Sequence, residues 1–214
     1  MRMKRIDMAT YPRRAHFELY TGMSYPYVGM TVEVDVADLL AFCKARKLSF
    51  YVMMIHAVAL AADEVPEFRR RIDQGGIIEF EACPSSHVEL KPDDTYAYCT
   101  MHHHMPLKEF IAQADIARTA ARESGNIEDG DDAKSMYFIS TVPWIHYTQV
   151  IQPTAGGEDS NPRFVWGKYQ ADESGRVTMP LSVLVHHALA DGLHIARFYD
   201  AFNRQVINIC KEAF

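Results

Sequence analysis

A β-type run, VTMPLSVLVHH (177–187), ends in two adjacent histidines and passes through ALADG into LHIARFYDAFNRQVINICKEAF (193–214), where Phe198, Phe202 and Val206 share one helical face. Strand, tight turn and amphipathic helix follow in that order, and VHHALADGLH (185–194) holds three histidines and an aspartate. A buried strand does not ordinarily end in so much titratable chemistry. Three readings compete for the cluster. On one continuous helix His187, Asp191 and His194 would stand at i, i+4 and i+7, a donor set for zinc or iron, but Gly192 would then interrupt the ligand helix. In a packed core the imidazoles would be satisfied by backbone hydrogen bonds. At a strand end facing a cleft, a neutral imidazole is a general base toward a hydroxyl, with Asp191 and Gly192 fixing the turn behind it.

Upstream, HFELYTGMSYPYVGMTVEVDV (16–36) has β-type residues broken by Gly22, Pro26 and Gly29, which predicts two strands and a loop before a helix capped by Asp35. That short helix is VADLLAFCKARK (36–47). Ser49 then caps a second helix, FYVMMIHAVALAADEV (50–65), apolar nearly all round and stopped by Pro66. IIEFEA (77–82), SHVEL (86–90) and TYAYCTM (95–101) predict antiparallel strands, and residues 106–125 an amphipathic helix between Pro106 and Gly125. NIEDGDDAK (126–134) is an acidic surface loop. SMYFISTV (135–142), HYTQVIQP (146–153), RFVWGKYQ (163–170) and the 177–187 run complete the strands, so the chain is expected to be α+β or a two-layer sandwich, as one domain over 1–214. HHH at 102–104 falls in a turn, where surface histidines are the expectation and no function is assigned.

With 214 residues, 48% of them apolar, the chain can bury one sizeable core. A net charge of -6 lacks the basic footprint that nucleic acid requires. The N-terminus has no apolar run for a signal peptide, and no stretch is long enough to span a membrane, so a soluble cytoplasmic protein is expected. Cys43, Cys83, Cys99 and Cys210 are widely spaced without a CxxC pair, which predicts reduced, packed thiols.

HHALADG (186–192) resembles the HHxxxDG signature of the chloramphenicol acetyltransferases, shared in looser form with the acyltransferase cores of 2-oxo acid dehydrogenase complexes. The likeness extends to YPRRAHFELY (11–20), to the Ser-x-x-Pro-Trp strand within FISTVPWIHYT (138–148), and to VWGKYQ (165–170), in the family's order. The resemblance implies a sandwich of mixed, largely antiparallel sheet packed with helices, assembled as a homotrimer with active sites at subunit interfaces. It implies direct acetyl transfer from acetyl-CoA, as co-substrate rather than permanent cofactor, to a hydroxyl of chloramphenicol or another small acceptor, the rival being a binding protein that keeps the fold without turnover; no metal is expected. His187 would be the general base and Ser140 the donor to the oxyanion. Asp191 would pair, in bidentate fashion, with Arg13, Arg14 being the alternative. Trp144, Lys168 and Tyr169 match positions lining the coenzyme A tunnel. Tyr20, Val28 and Tyr96 are candidate acceptor walls, and Val165 stands where a threonine often helps to hold a water and the intermediate. The loop TGMSYPYVGM (21–30) departs from the family's Pro-Cys-Gly turn, so Tyr25 and Tyr27 would narrow the pocket if they point inward.

Overall fold

The computed structural model describes residues 2–212, so residues 213–214 of the expected terminal helix, and residue 1, lie outside it. A short strand, β1 (Met3–Arg5), precedes a helix, α1 (Arg14–Thr21), where the sequence predicted a strand. The helical period wins because Phe17 and Tyr20, three residues apart, turn to the same inner side, and Arg14 pairs with Glu18 one turn on at 2.7 Å. Next come β2 (Tyr27–Asp35) and α2 (Ala37–Arg46), whose N-cap is Val36; Asp35 acts from one residue earlier, its Oδ1 accepting the Ala37 amide at 3.0 Å. Ser49 caps α3 (Phe50–Asp63) as expected, and ten of the 14 residues of that helix are buried.

The middle of the chain gives β3 (Arg70–Asp73), β4 (Gly76–Phe80), β5 (Ser85–Leu90), β6 (Tyr96–Met101) and α4 (Leu107–Ser124). The helix α4 ends on Gly125 at φ +63°, a left-handed cap that glycine adopts without strain. A 3-10 turn at Gly130–Ser135 lies within the acidic segment. It is followed by β7 (Tyr137–Thr141), β8 (Arg163–Trp166), β9 (Gln170–Ala171), β10 (Val177–His186) and α5 (Gly192–Lys211). The strand expected over 146–153 does not form. Tyr147 there lies across the sheet with its hydroxyl donating to Val165 O at 2.7 Å, so the segment covers the sheet face instead of joining its ladder.

The main sheet runs β2-β10-β8-β7-β5-β6, with β9 attached to β10; a small sheet has the order β1-β4-β3. The main sheet is mixed, since β7 pairs in parallel with both β5 and β8 and the other pairs are antiparallel. Strand alternation sends Ile139, Phe164, Leu181, Val183 and Val185 into the core with α2, α3 and α5, leaving Ser140, Val165 and Ser182 on the opposite face. A smaller cluster of Tyr11, Phe17, Ile72, Ile77, Ala188 and Leu189 ties α1 and the small sheet to the turn after β10. Among the described residues no helix is long and apolar enough to cross a membrane.

Besides His186, three imidazoles are sealed among the described residues: His56 on α3, His87 on β5 and His103 after β6 are each at most 2% exposed. The surface expectation for 102–104 therefore fails for His103, because neighbouring residues point in opposite directions and only His103 turns inward, beside His56 and Phe110. His104 binds Asp63 at 2.6 Å. Neither ring nitrogen of His103 has a hydrogen-bond partner among the described residues, whereas His87 Nε2 faces Glu89 Oε1 at 3.5 Å. Burial, reinforced by the nearby charge of His104, pushes the His56 imidazole down to about 4, and burial also lowers His87 and His103.

Unfolded histidine takes up a proton near pH 6.5, whereas folded His56 resists until about 4. Between those values the unfolded chain binds more protons, so stability is full above the higher value and is lost as pH falls toward the lower. At pH 5 one such imidazole removes about 2 kcal/mol. Thermal denaturation should give a lower Tm at pH 5 than at pH 7.5, with His56→Phe narrowing the gap; equal Tm values for the parent protein would contradict this account.

Candidate active site

The central position of β10 fixes where its terminal histidines go. His186 is 1% exposed and spent on the backbone: Nε2 meets Gly157 O at 2.8 Å and Nδ1 accepts the Ala188 amide at 3.2 Å. His187, one residue on, points the other way. Its amide donates to Pro26 O at 2.7 Å, and its Nδ1 lies 3.1 Å from Ala190 O. A carbonyl only accepts, so Nδ1 carries the proton and the lone pair sits on Nε2. Tyr20 from α1 stacks flat on the imidazole at 3.9 Å between centroids, 13° from parallel. Tyr20 thus stacks on His187 rather than lining the large cavity.

Asp191 is the N-cap of α5, its Oδ1 accepting the Leu193 amide at 3.0 Å. The chain is strand, turn and helix here, not the continuous helix on which a metal set of His187, Asp191 and His194 depends. Arg13, the N-cap residue of α1, donates from Nη1 to Asp191 Oδ2. The pair is single rather than bidentate, since Nε and Nη2 of Arg13 have no partner among the described residues. Arg14 turns away to Glu18. Burial opposes ionisation of Asp191, but the Arg13 hydrogen bond and the charges of His194 and Arg13 outweigh it and hold its carboxyl down at about 2.

A cavity of about 1090 Å³ is lined by Ser140, Val165, Trp144, Lys168, Tyr169 and Tyr96 among others. Ser140 and Val165 are register neighbours on parallel β7 and β8. Trp144 and Lys168 reach the same mouth because Lys168 N donates to Ile145 O at 2.8 Å and Gly167 N to Pro180 O at 3.0 Å. This crossing needs glycine: a Cβ at position 167 would lie 2.7 Å from Ile145 O. Tyr169 meets Phe50 edge to face.

The expected site residues therefore fall into two groups. Arg13, Tyr20, His187 and Asp191 form one; Ser140, Val165, Trp144, Lys168, Tyr169 and Tyr96 form the other, and His187 is not among the residues lining the cavity. Val28 belongs to neither, being paired with Val185 and packed on the main core. Tyr27 ties its hydroxyl to Asp159 O at 2.8 Å, and Tyr25 is exposed. The sequence reading missed a charged stretch of the cavity wall. Glu89, 3% exposed, accepts from Arg118 Nε at 2.5 Å and Arg122 Nη1 at 2.8 Å. Its signal was two arginines at i, i+4 on α4 opposite a lone strand glutamate.

The family model described as chloramphenicol acetyltransferase matches residues 1–203. The chain is 29% identical over 214 residues to chloramphenicol acetyltransferase 2 of Escherichia coli, covering 99% of this chain and 100% of that one. A chloramphenicol acetyltransferase of Bacillus pumilus is 28% identical, with 98% and 95% covered. The solved structure of a chloramphenicol acetyltransferase superposes with a TM-score of 0.86 at 24% identity, over 96% of this chain and 100% of that one. A probable dihydrolipoamide acetyltransferase from Listeria monocytogenes shares the fold at a TM-score of 0.69 and 19% identity, with 99% and 97% covered.

Asp191→Asn keeps an oxygen to cap α5 while removing the charge that Arg13 faces. With both side chains partly buried, the variant should lose about 2 kcal/mol, read as a Tm drop of roughly 5 °C. A Tm equal to that of the parent protein would show that the pair carries no stability.

Proposed function

The chain belongs to the chloramphenicol acetyltransferase family, and on that premise we propose that it transfers the acetyl group of acetyl-CoA to a hydroxyl of chloramphenicol, with His187 as general base. The observation that carries this reading is the fixed tautomer of His187, whose Nδ1 donates to Ala190 O and leaves Nε2 free to accept a proton. Nε2 takes the hydroxyl proton as the oxygen bonds to the thioester carbon. Ser140 Oγ–H donates to the oxyanion of the tetrahedral intermediate. Collapse breaks the carbon–sulfur bond, and the departing thiolate of coenzyme A recovers the proton from Nε2. Val165 offers no hydroxyl beside Ser140, so Ser140 is the side-chain donor of that pair.

Trp144, 66% exposed at the cavity mouth, is placed to stack on the adenine, with Lys168 meeting phosphate and Tyr169 beside it. His187 and Ser140 come together between copies: the chain acts as a homotrimer, one protomer's His187 facing its partner's cavity. Exposed apolar side chains around the base, Leu19, Tyr25, Met30 and Leu193, support this. The single domain works in the cytoplasm, where acetyl-CoA is at hand. A second reading keeps the chemistry on a more polar hydroxylated acceptor, favoured by Glu89, Arg118, Arg122 and Asp129 along the cavity.

Thiol release from acetyl-CoA with chloramphenicol tests the reading. His187→Ala should lower kcat by about 10³-fold or more and His186→Ala should not; the reverse pattern would overturn the base. Ser140→Ala should cost about 10²-fold with acetyl-CoA binding retained. Light scattering should give three times the mass of one chain, and an active monomer would contradict the shared site. Release with another alcohol but never with chloramphenicol would favour the polar acceptor.

A further inference from the structure

Behind His187 lies a second imidazole that the transfer itself does not use. His194 is the third residue of α5 and is 5% exposed. Its Nδ1 lies 3.1 Å from the backbone nitrogen of Asp191 and 2.8 Å from Asp191 Oδ1, while its Nε2 faces Glu67 Oε1 at 3.8 Å. The Asp191 amide belongs to the same rigid peptide plane as the Ala190 carbonyl, which accepts from His187 Nδ1. One plane therefore carries an imidazole at each end: His187 on its oxygen and His194 at its N–H.

One ring nitrogen cannot accept from the amide and donate to the carboxylate at once. With Nδ1 bare, the Asp191 amide donates to His194, and the Nε2–H is directed at Glu67. The Asp191 carboxylate keeps partners of its own in this state, the Leu193 amide on Oδ1 and Arg13 on Oδ2. With Nδ1 protonated, the ring donates to Oδ1 and the peptide plane loses its hold at the nitrogen end. Any rotation of the plane that follows carries the Ala190 oxygen away from His187 Nδ1.

We propose that His194 is a positioning residue, whose Nδ1 clamps the Ala190–Asp191 peptide and thereby fixes the orientation and tautomer of the base. This rests on the reading of His187 as that base. An α5 N-terminus needs no histidine for its cap alone, because glutamate or glutamine at this third position completes a capping box as well. The observation specific to His194 is its place at the far end of the very peptide that holds His187.

Two variants separate positioning from packing. His194→Phe keeps a ring of similar size and removes both nitrogens, whereas His194→Gln restores an acceptor for the Asp191 amide. With acetyl-CoA and chloramphenicol, assayed below the Tm of each variant, His194→Phe should lose about 10- to 100-fold in kcat with both KM values nearly unchanged, since small misplacements of a catalytic group act on turnover. His194→Gln should recover kcat to within about threefold of the parent. A His194→Phe protein that is less stable but turns over at the parental kcat would overturn the proposal, as would a His194→Gln protein no faster than His194→Phe. If His194→Phe does not fold, the glutamine variant decides alone: parental kcat supports the clamp, and a folded protein with lost turnover overturns it. His187→Ala run in parallel keeps the two ideas apart. If it stays active, the base assignment has failed; if it is inactive while His194→Phe is not, only the clamp has.

Discussion

Arg13 and Asp191 meet across nearly the whole length of the chain, and the site is built outward from that contact. The guanidinium stands at the start of α1 and the carboxylate at the start of α5, so one hydrogen bond joins two helix N-termini. Seven residues along α1, Tyr20 lies flat on His187; four residues before Asp191, His187 leaves β10. With both helix starts tied together, the stacked rings have little freedom to part. The low ionisation range of Asp191 means that this tie persists at neutral pH.

The second half of the site follows from a different constraint. Parallel β7 and β8 bring Ser140 beside Val165, and the loop after β7 is drawn over the end of β8 at Gly167. That crossing sets Trp144 and Lys168 at one opening of the cavity. Within a single chain the cavity of about 1090 Å³ is lined by Ser140 but not by His187. The proposal that one protomer's His187 faces its partner's cavity rests on this separation of the two groups.

The sequence made the strand, turn and helix around His187 legible because β-branched residues stop where Asp191 and Gly192 begin, and a change of period from 2 to 3.6 is a strong local signal. The same rule misled at residues 16–20, where too few residues separate the two periods and the burial of Phe17 with Ile72 and Ile77 decides for helix. HYTQVIQP alternates like a strand, but Tyr147 is held by partners on β8 and β10 that are distant in sequence. The residue types of the site were legible through the family's motifs. The roles of Tyr20 and His194 were not, since ring stacking and a shared peptide plane are relations between separate elements. Glu89 was legible only as part of an expected strand, since the two arginines that hold it come from α4.

The contact between Arg13 and Asp191 also has a meaning in time. Synthesis proceeds from the N-terminus, so Arg13 and α1 exist long before β10 and α5 emerge. Strand β2, too, must wait for β10, its hydrogen-bonded neighbour in the sheet. Such pairings of high sequence separation slow folding, because the entropy of closing a long loop is lost before the contacts return it. Until α5 begins to form, Arg13 has no Asp191 to pair with, and the stack of Tyr20 on His187 cannot be held from both helix starts.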